Sequence, residues 1–450
     1  MGKLFGTDGI RGIANIYPMT ADVALEVGRA VAYIFKQKKG SQHKILIGKD
    51  TRLSCYMLET ALTAGICSMG ADAFLIGPIP TPGVAFLTGS MRSDAGIMIS
   101  ASHNPFQDNG IKIFTRDGFK LPDEIEERIE ELILSKKLEA LQPTAGKIGK
   151  AHRIEDALGR YIEFLKHTFP KEFTLENLRI AIDCANGATY KVAPTVFSEL
   201  DAEIFPINIK PDGININLNC GALHTERLKE NVLKTRADIG LAFDGDGDRF
   251  IAIDEKGQEV SGDKIIAICA KYLKEKNKLK NNAVVTTVMS NLGLSVLLKE
   301  LGIKHYKSKV GDRYVLEEML KNDVILGGED SGHIIFLEHH TTGDGILSAL
   351  QLLAIMVETN KRLSELAAIM ETYPQILINV DVSSKPDLNS IPEIVNVIKE
   401  SEEKLKDRGR VLVRYSGTEM LCRVMVEGPT HNEIKQIAEE IVSIIKSKLS

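Results

Sequence analysis

Short apolar runs rich in β-branched residues alternate with longer amphipathic segments along most of the chain. The run "KILIG" (44–48) precedes a helical pattern from about residue 56 to 69, and "ADAFLIG" (71–77) and "AGIMIS" (95–100) continue the alternation. Short apolar runs bounded by turn residues predict strands, and a helical period between them predicts crossover helices. This order of elements predicts parallel sheets with right-handed connections.

The same pattern begins again twice, so we expect more than one α/β domain. The segments "NLRIAIDCANGAT" (177–189) and "NNAVVTTVMSN" (281–291) each run from strand through polar turn to helix. After "ETYPQ" (371–375) the order changes to strand, helix, two strands and helix. A chain of 450 residues also exceeds what one hydrophobic core normally serves. The predicted domains are three of the α/β type, at 1–154, 155–256 and 257–371, and a smaller α+β domain at 372–450.

The charge of the chain gives no sign of a polyanionic partner. The 56 Lys and Arg against 61 Asp and Glu leave a net charge of −5, and no long basic run occurs. We therefore expect neither nucleic acid nor a membrane as a partner. The sequence leaves open whether the chain forms a homodimer.

The cysteines and the N-terminal segment both favour a reducing compartment. The six cysteines are scattered without a Cys-x-x-Cys pair, so buried free thiols are expected rather than a zinc ribbon or a redox dithiol. "MGKLFGTDGIRG" (1–12) lacks the apolar core of a signal peptide, and no run is long enough to span a membrane. The expected location is the cytoplasm.

Three alternating aspartates give the sharpest chemical signal. In "ADIGLAFDGDGDRFIAID" (237–254), Asp244, Asp246 and Asp248 lie on a glycine-rich loop, where their carboxylates can converge on one hard cation. Oxygen ligands of this kind suit Mg²⁺, Mn²⁺ or Ca²⁺ rather than zinc. An EF-hand is disfavoured because Arg249 occupies the position that needs glycine. A solvated acidic turn is the alternative to a metal site.

A serine and a histidine lie together on the turn in "GIMISASHNPFQDNGIKIF" (96–114). Ser102 lacks the G-x-S-x-G elbow of an acyl hydrolase, which disfavours an acyl-enzyme, but the serine taken alone leaves its chemistry open. Neighbouring side chains on an extended chain point apart, so we expect His103 to orient groups or contact phosphate rather than to act as base for Ser102. Lys112 on the next strand can bring an ammonium group to the same place. A turn with only structural roles is the alternative.

Two further loops have the composition of anion or sugar sites. "RYSGTEMLCRVMVEG" (414–428) begins with an arginine, two hydroxyls and a glycine, which suit a dianionic phosphate. "GGEDSGHIIF" (327–336) has polar groups suited to sugar hydroxyls, although a lone histidine is usually structural. "GTDGIRG" (6–12) adds Arg11. No Walker A or G-x-G-x-x-G motif is present, so nucleotide binding has no support.

Together these segments closely resemble the α-D-phosphohexomutase family from end to end. The motifs "ISASHNP", "DGDGDR", "GEDSGH" and "RYSGTE" occur in the family's order. Stretches such as "FGTDGIRG", "TPGVAFLT", "PDGININLNCG" and "KVGDRYV" resemble a bacterial subgroup that acts on glucosamine phosphate. The resemblance implies three similar α/β domains with mixed sheets plus a smaller C-terminal α+β domain around a central cleft.

The resemblance also assigns expected roles to the residues of these motifs. Ser102 matches the family's phosphoserine, and a Ser102 phosphate oxygen with Asp244, Asp246 and Asp248 would bind one Mg²⁺ per subunit. Lys112 and His333 match positions proposed as acid or base, His103 adjoins the phosphoserine, and Arg11 matches an active-site arginine. The remaining matches are substrate-binding positions: Arg249, Glu329, Ser331, Arg414, Ser416, Gly417 and Thr418.

The implied reaction interconverts glucosamine 6-phosphate and glucosamine 1-phosphate, for amino-sugar and cell-wall precursor synthesis. Glucosamine 1,6-bisphosphate would be the intermediate, and it or glucose 1,6-bisphosphate would prime Ser102. Asp330 stands where the subgroup usually has Gln, and an acid there could pair with a protonated 2-amino group. Glucose or mannose phosphate stays open as the substrate. A metal-dependent phosphatase and a non-enzymatic phosphosugar-binding protein also stay open as functions of the same residues.

Overall fold

The computed structural model describes residues 4–6, 8–36, 43–416 and 420–449. Its helices run, in chain order, α1 Ala21–Ile34, α2 Ser54–Ser68, α3 Thr81–Ser90, α4 Asp123–Ser135, α5 Ala157–His167, α6 Val192–Glu199, α7 Glu226–Thr235, α8 Gly262–Glu275, α9 Leu292–Glu300, α10 Asp312–Asn322, α11 Gly345–Thr359, α12 Leu363–Ala367, α13 Pro392–Leu405 and α14 His431–Leu449. None of these helices combines the length and apolar character needed to cross a bilayer.

The strands are β1 Ile10–Ile13, β2 Lys44–Lys49, β3 Asp72–Pro78, β4 Ala95–Ile99, β5 Asp108–Thr115, β6 Ala151–Arg153, β7 Arg179–Asp183, β8 Glu203–Ile207, β9 Ile239–Phe243, β10 Phe250–Asp254, β11 Glu259–Val260, β12 Ala283–Thr287, β13 Lys304–Ser308, β14 Leu326–Gly328, β15 Ile334–Phe336, β16 Gln375–Asp381, β17 Arg410–Tyr415 and β18 Leu421–Glu427. By their internal contacts the described residues form two compact units, one within 1–289 and 304–368, the other within 290–303 and 369–450.

The first unit contains three mixed sheets flanked by helices. Their strand orders are β1-β5-β4-β2-β3-β6, β11-β10-β9-β7-β8 and β13-β12-β14-β15. Each sheet has parallel pairs at its centre, such as β2 with β4 and β7 with β9. Central strands such as β4 and β9 are buried and apolar throughout, as strands covered by helices on both faces must be.

Each of the three sheets also contains an antiparallel hairpin, which the alternation of strands and helices did not predict. These hairpins are β4–β5, β9–β10 and β14–β15, and the second sheet has a further one, β10–β11. In each case the connection is a short loop without a helix, and a parallel return would need a longer crossover. The parallel sheets predicted from the alternation are thus only part of the arrangement, and the mixed sheets that the family resemblance implies are confirmed.

The second unit is built on an antiparallel sheet of order β16-β18-β17. The amphipathic helices α13 and α14 cover one face, and their apolar residues, such as Ile394 and Ile441, form a core with Val424 of the central strand. Three mixed α/β domains and a smaller C-terminal domain with an antiparallel sheet are thus confirmed. The boundaries at residues 154, 256 and 371 stay predictions.

Candidate active site

Three hairpin loops of the first unit, one from each sheet, carry the three motifs on which the site depends. The β4–β5 loop contains Ser102, the β9–β10 loop contains the aspartates 244, 246 and 248, and the β14–β15 loop contains residues 329–333. The same position in three sheets therefore supplies the serine, the carboxylates and the sugar-loop residues.

Ser102 is buried and held in a left-handed backbone conformation. Its φ is 52°, which is uncommon for a residue with a Cβ, and its N–H donates to Ser100 Oγ at 2.9 Å. The side chain of Asn217 donates to the carbonyl oxygens of Ser102 and Asn104, at 2.9 and 3.0 Å. The serine loop is thus fixed by the segment between β8 and α7 as well as by residues of its own domain.

Arg52, which sequence reasoning missed, holds the serine loop from inside. Its side chain is fully buried, and its Nε donates to the carboxylate of Asp50 at 2.8 Å. Its guanidinium donates to four carbonyl oxygens of the loop, those of Ser102, Asn104, Pro105 and Asp108. The arginine after the strand-ending "GKD" (48–50) is a signal that could have been noticed.

Replacing Arg52 with methionine should destabilise the protein by about 3–5 kcal/mol, because the buried carboxylate of Asp50 would lose its cation. The loss in free energy of unfolding is measured by urea denaturation, monitored by circular dichroism. Arg160→Met is the matched control, since Arg160 forms an exposed pair with Asp156 one helical turn away. Equal unfolding curves for the two variants would contradict the structural role of Arg52.

The three aspartates form a buried cluster against the serine. One carboxylate oxygen from each lies within 4.8 Å of the others. Ser102 Oγ donates to Asp244 Oδ2 at 2.6 Å. The intervening glycines are required: Gly247 has φ +71°, and a Cβ on Gly245 would lie 2.6 Å from the Ser102 carbonyl oxygen.

The donor set of this cluster fits a hard divalent cation. Asp246 Oδ1 and Asp248 Oδ1 are buried and have no hydrogen-bond partner among the described residues. Buried carboxylate oxygens without donors are costly unless a cation binds them, and oxygen-only ligands suit Mg²⁺. The solvated acidic turn is excluded by this burial. The cluster is a candidate metal site.

The charges in the cluster shift its pKa values in opposite directions. Burial, with the negative charges of Asp248 and Asp246, raises the pKa of Asp244 well above its usual range. Burial alone would also raise the pKa of Asp248, but the positive charges of Lys112 and of His333 hold it well below that range. The crowded negative charges thus disfavour one another, and a bound cation would relieve that repulsion.

Lys112 is buried among carboxylates. Its Nζ lies 3.0 Å from Asp246 Oδ2, 3.4 Å from Asp8 Oδ2 and 3.6 Å from Asp248 Oδ2. Burial lowers its pKa, but the three negative charges outweigh this and raise the pKa well above its ordinary value. With its pKa raised in this way, Lys112 carries a positive charge as an ammonium group.

His103 lies closer to the serine than the sequence predicted. Its Nδ1 is 3.3 Å from Ser102 Oγ. The two neighbouring side chains converge because Ser102 is left-handed rather than extended, and the expectation that they point apart was wrong. Burial, with the positive charges of Arg249 and Arg11, lowers the pKa of His103 to about 4.

Two arginines near His103 have buried Nε atoms without a hydrogen-bond partner among the described residues, those of Arg11 and Arg249. Arg11 forms an ion pair with Asp8, and the backbone N–H of Arg249 donates to Asp244 Oδ1 at 3.2 Å. Donors left over in a buried site suit a phosphate.

The sugar-loop residues lie beside the metal cluster. His333 Nδ1 is 3.6 Å from Asp248 Oδ2, and His333 Nε2 accepts from the N–H of Gly343. Glu329 accepts from the N–H of Gly311 at 3.0 Å, and Ser331 Oγ has no hydrogen-bond partner in the described part of the chain. Asp330 is exposed, and its carboxylate accepts from the first turn of α8, at the N–H of Asp263.

Lys120 is a second residue that sequence reasoning missed. Its Nζ pairs with Asp8 and also with Asp312, the first residue of α10. Through Asp8 it adjoins Arg11 and Lys112, and Asp312 lies 3.8 Å from His333. Lys120 follows a glycine turn without any motif, so the sequence offered no signal.

Arg414 and Ser416 belong to the second compact unit. Arg414 pairs in register with Arg423 of β18, and burial with that second charge lowers the pKa of Arg414. Ser416 is buried, and its carbonyl accepts from Lys385 at 2.7 Å. Like charges on facing strands favour an anion nearby. Gly417 and Thr418 lie outside the described residues.

Comparison with known proteins identifies the family. Models of four phosphoglucomutase/phosphomannomutase domains match in order: α/β/α domain I at 2–140, II at 159–257, III at 261–373 and the C-terminal domain at 377–444. The chain therefore belongs to the phosphoglucomutase/phosphomannomutase family.

Similar full-length proteins indicate which subgroup of the family the chain resembles. The chain is 61% identical over 449 residues to the phosphoglucosamine mutase of Syntrophus aciditrophicus, covering 100% of both chains. It is 60% identical to that of Citrifermentans bemidjiense, covering 100% of this chain and 99% of the other. The chain is accordingly one of the phosphoglucosamine mutases, which are isomerases.

Solved structures share the fold. A phosphoglucomutase/phosphomannomutase family protein from Burkholderia thailandensis matches with a TM-score of 0.80 at 23% identity, over 99% of this chain and 97% of that one. The N-acetylphosphoglucosamine mutase of Aspergillus fumigatus, in complex with GlcNAc-6P and magnesium, matches with a TM-score of 0.66 at 18% identity, over 99% and 95%.

Proposed function

We propose that the protein interconverts glucosamine 6-phosphate and glucosamine 1-phosphate through a phosphorylated Ser102. The observation that carries this proposal is the contact between Ser102 Oγ and Asp244 Oδ2, at 2.6 Å inside a buried carboxylate cluster. The full-length similarity to phosphoglucosamine mutases supports the choice of sugar. The phosphosugar is the partner, and one Mg²⁺ per subunit is the cofactor.

Phosphate monoesters are inert, and their transfer is catalysed chiefly by positioning and charge neutralisation. Asp244, Asp246 and Asp248 would hold Mg²⁺ with an oxygen of the Ser102 phosphate. When bound, the ion neutralises charge on the phosphoryl group in transfer. The unpaired Nε atoms of Arg11 and Arg249 supply further donors for phosphate.

In the first step the free hydroxyl of glucosamine 6-phosphate bonds to phosphorus and its proton goes to a base. The bond from phosphorus to Ser102 Oγ breaks, and Ser102 Oγ takes up a proton from an acid. The bound product is glucosamine 1,6-bisphosphate. After the intermediate reorients, Ser102 Oγ gives up its proton and bonds to the phosphorus at position 6. The bond from that phosphorus to the position-6 oxygen breaks, this oxygen takes up a proton, and glucosamine 1-phosphate leaves. Glucosamine 1,6-bisphosphate or glucose 1,6-bisphosphate would prime the unphosphorylated serine.

Separate residues would position the sugar and move its proton. Ser331 Oγ, which has no hydrogen-bond partner among the described residues, and Glu329 are available to sugar hydroxyls. His333 and Lys112 are the candidates for acid and base, and His103 orients Ser102. Arg414, Ser416, Gly417 and Thr418 would bind the phosphate that is not reacting.

Initial rates on three substrates test this function: glucosamine 6-phosphate, glucose 1-phosphate and mannose 1-phosphate, each with the phosphorylated, Mg²⁺-loaded protein. We expect kcat/KM for glucosamine phosphate to be at least about tenfold higher, a gap near 1.4 kcal/mol in transition-state binding. A preference for glucose or mannose phosphate would overturn the assignment of glucosamine phosphate as the substrate. Release of inorganic phosphate in excess of isomer would indicate a phosphatase instead.

A further inference from the structure

Thr81, the first residue of α3, contacts a candidate metal ligand with both its side chain and its backbone. Its Oγ1 donates to Asp246 Oδ2 at 2.6 Å, and its N–H donates to the carbonyl oxygen of Asp246 at 2.8 Å. Thr81 is only 1% exposed, so solvent cannot substitute for either bond. The bonds join the first sheet's domain, which carries Ser102, to the metal loop of the second.

The side-chain bond decides which oxygen of Asp246 is left for a cation. Oδ2 accepts from the Thr81 hydroxyl and from the Lys112 ammonium at 3.0 Å. Oδ1 of the same carboxylate is buried and has no hydrogen-bond partner among the described residues. Two donors on Oδ2 fix the orientation of the carboxylate and leave Oδ1 available to bind a cation.

Two further features strengthen this arrangement. The N-terminus of α3 points its partial positive charge toward the negatively charged ligand. Gly247, the residue after Asp246, packs against Pro80, the residue before Thr81: a Cβ on Gly247 would lie 3.2 Å from Pro80 Cβ. The start of α3 and the metal loop are therefore fitted closely to one another.

We propose that Thr81 is a positioning residue for the metal site, which orients Asp246 so that Oδ1 faces the cation. The proposal rests on the metal role proposed above for the three aspartates. Partners that orient a ligand typically contribute about 10- to 100-fold to metal affinity. Thr81 touches neither substrate nor phosphate in this scheme and acts only through Asp246.

The test is the affinity of the unphosphorylated protein for Mn²⁺, measured by electron paramagnetic resonance and by calorimetry. Thr81→Val keeps the shape of the side chain but lacks the hydroxyl, and should raise the Kd for Mn²⁺ about 10- to 100-fold. Thr81→Ser keeps the hydroxyl and should bind close to the wild-type value. Thr88→Val is the matched control, since Thr88 is buried in the same helix and donates only to Val84 O, at 2.7 Å.

The kinetic counterpart is the Mg²⁺ concentration that gives half-maximal mutase activity. In Thr81→Val it should rise by a similar factor, with a smaller change in KM for the sugar phosphate. If that variant does not fold, Thr81→Ala and Thr81→Ser form a second pair that differs only in the hydroxyl, and the alanine variant should bind Mn²⁺ more weakly.

The outcomes separate this inference from the proposed function. Wild-type protein that binds no Mn²⁺ would overturn the metal site itself, and the role of Thr81 with it. Wild-type binding with an unchanged Kd in Thr81→Val, or in Thr81→Ala relative to Thr81→Ser, would overturn only the role of Thr81.

Discussion

Ser102→Ala should lower kcat for the interconversion by at least about 10⁴-fold, because the variant lacks the hydroxyl that we propose carries the phosphoryl group between the two ends of the sugar. Ser102 is the hydroxyl that the cluster is built around, with Asp244 Oδ2 at 2.6 Å and His103 Nδ1 at 3.3 Å. The loop conformation is held by backbone carbonyl contacts to Arg52 and Asn217, which alanine leaves in place. The variant should therefore fold normally.

The experiment pairs turnover with detection of phosphate on the intact protein by mass spectrometry. Wild-type protein incubated with glucose 1,6-bisphosphate should gain one phosphoryl group, and Ser102→Ala should gain none. Ser93→Ala is the control: Ser93 is also buried, precedes the same strand β4, and its hydroxyl has no partner among the described residues. Undiminished turnover in Ser102→Ala would exclude the covalent pathway.

Asp244→Asn should lower kcat/KM by about 10³-fold or more, since charge neutralisation by a bound metal lowers the barrier to phosphoryl transfer by several kcal/mol. Asparagine has nearly the same shape but offers one neutral oxygen in place of a carboxylate. Asp244 also accepts hydrogen bonds from the Ser102 hydroxyl and from the backbone N–H of Arg249. Both donors would lose a charged acceptor in the asparagine variant. The loss should appear chiefly in kcat.

Asp201→Asn is the control for this variant. It makes the same change in net charge at an exposed turn, and its φ of 71° is one that asparagine adopts readily. Chelation should reproduce the effect of Asp244→Asn in the wild-type protein, and added Mg²⁺ should restore activity. Activity that survives both chelation and Asp244→Asn would show that the cluster does not bind a required metal.

The motifs could be found from the sequence because each combines special residues within a few positions. Alternating aspartates with glycines between them, or an arginine followed by hydroxyls on a turn, are improbable unless a loop places charges together. Ser102 and the three aspartates were predicted in this way, and the structure brings them into contact. Their roles in catalysis stay predictions until the variants above are measured.

The residues that the sequence did not reveal act over long separations. Arg52 reaches the serine loop 50 residues away, and Thr81 reaches Asp246 across 165. Lys120 contacts Asp312 across 192 residues. Each is a common residue type in an ordinary setting, so its role depends on which loop the fold places opposite it.

The sequence by itself determined the kinds of element and the chemistry of the loops, because strand and helix periods and local clusters of charge are properties of neighbouring residues. It also determined the family, through four motifs in order. Only the tertiary structure decided the antiparallel hairpins, the left-handed turn that brings His103 to Ser102, and the donors that orient each carboxylate. Those features follow from packing between distant segments, where a contact is specified by three-dimensional proximity and by the need to satisfy buried polar groups.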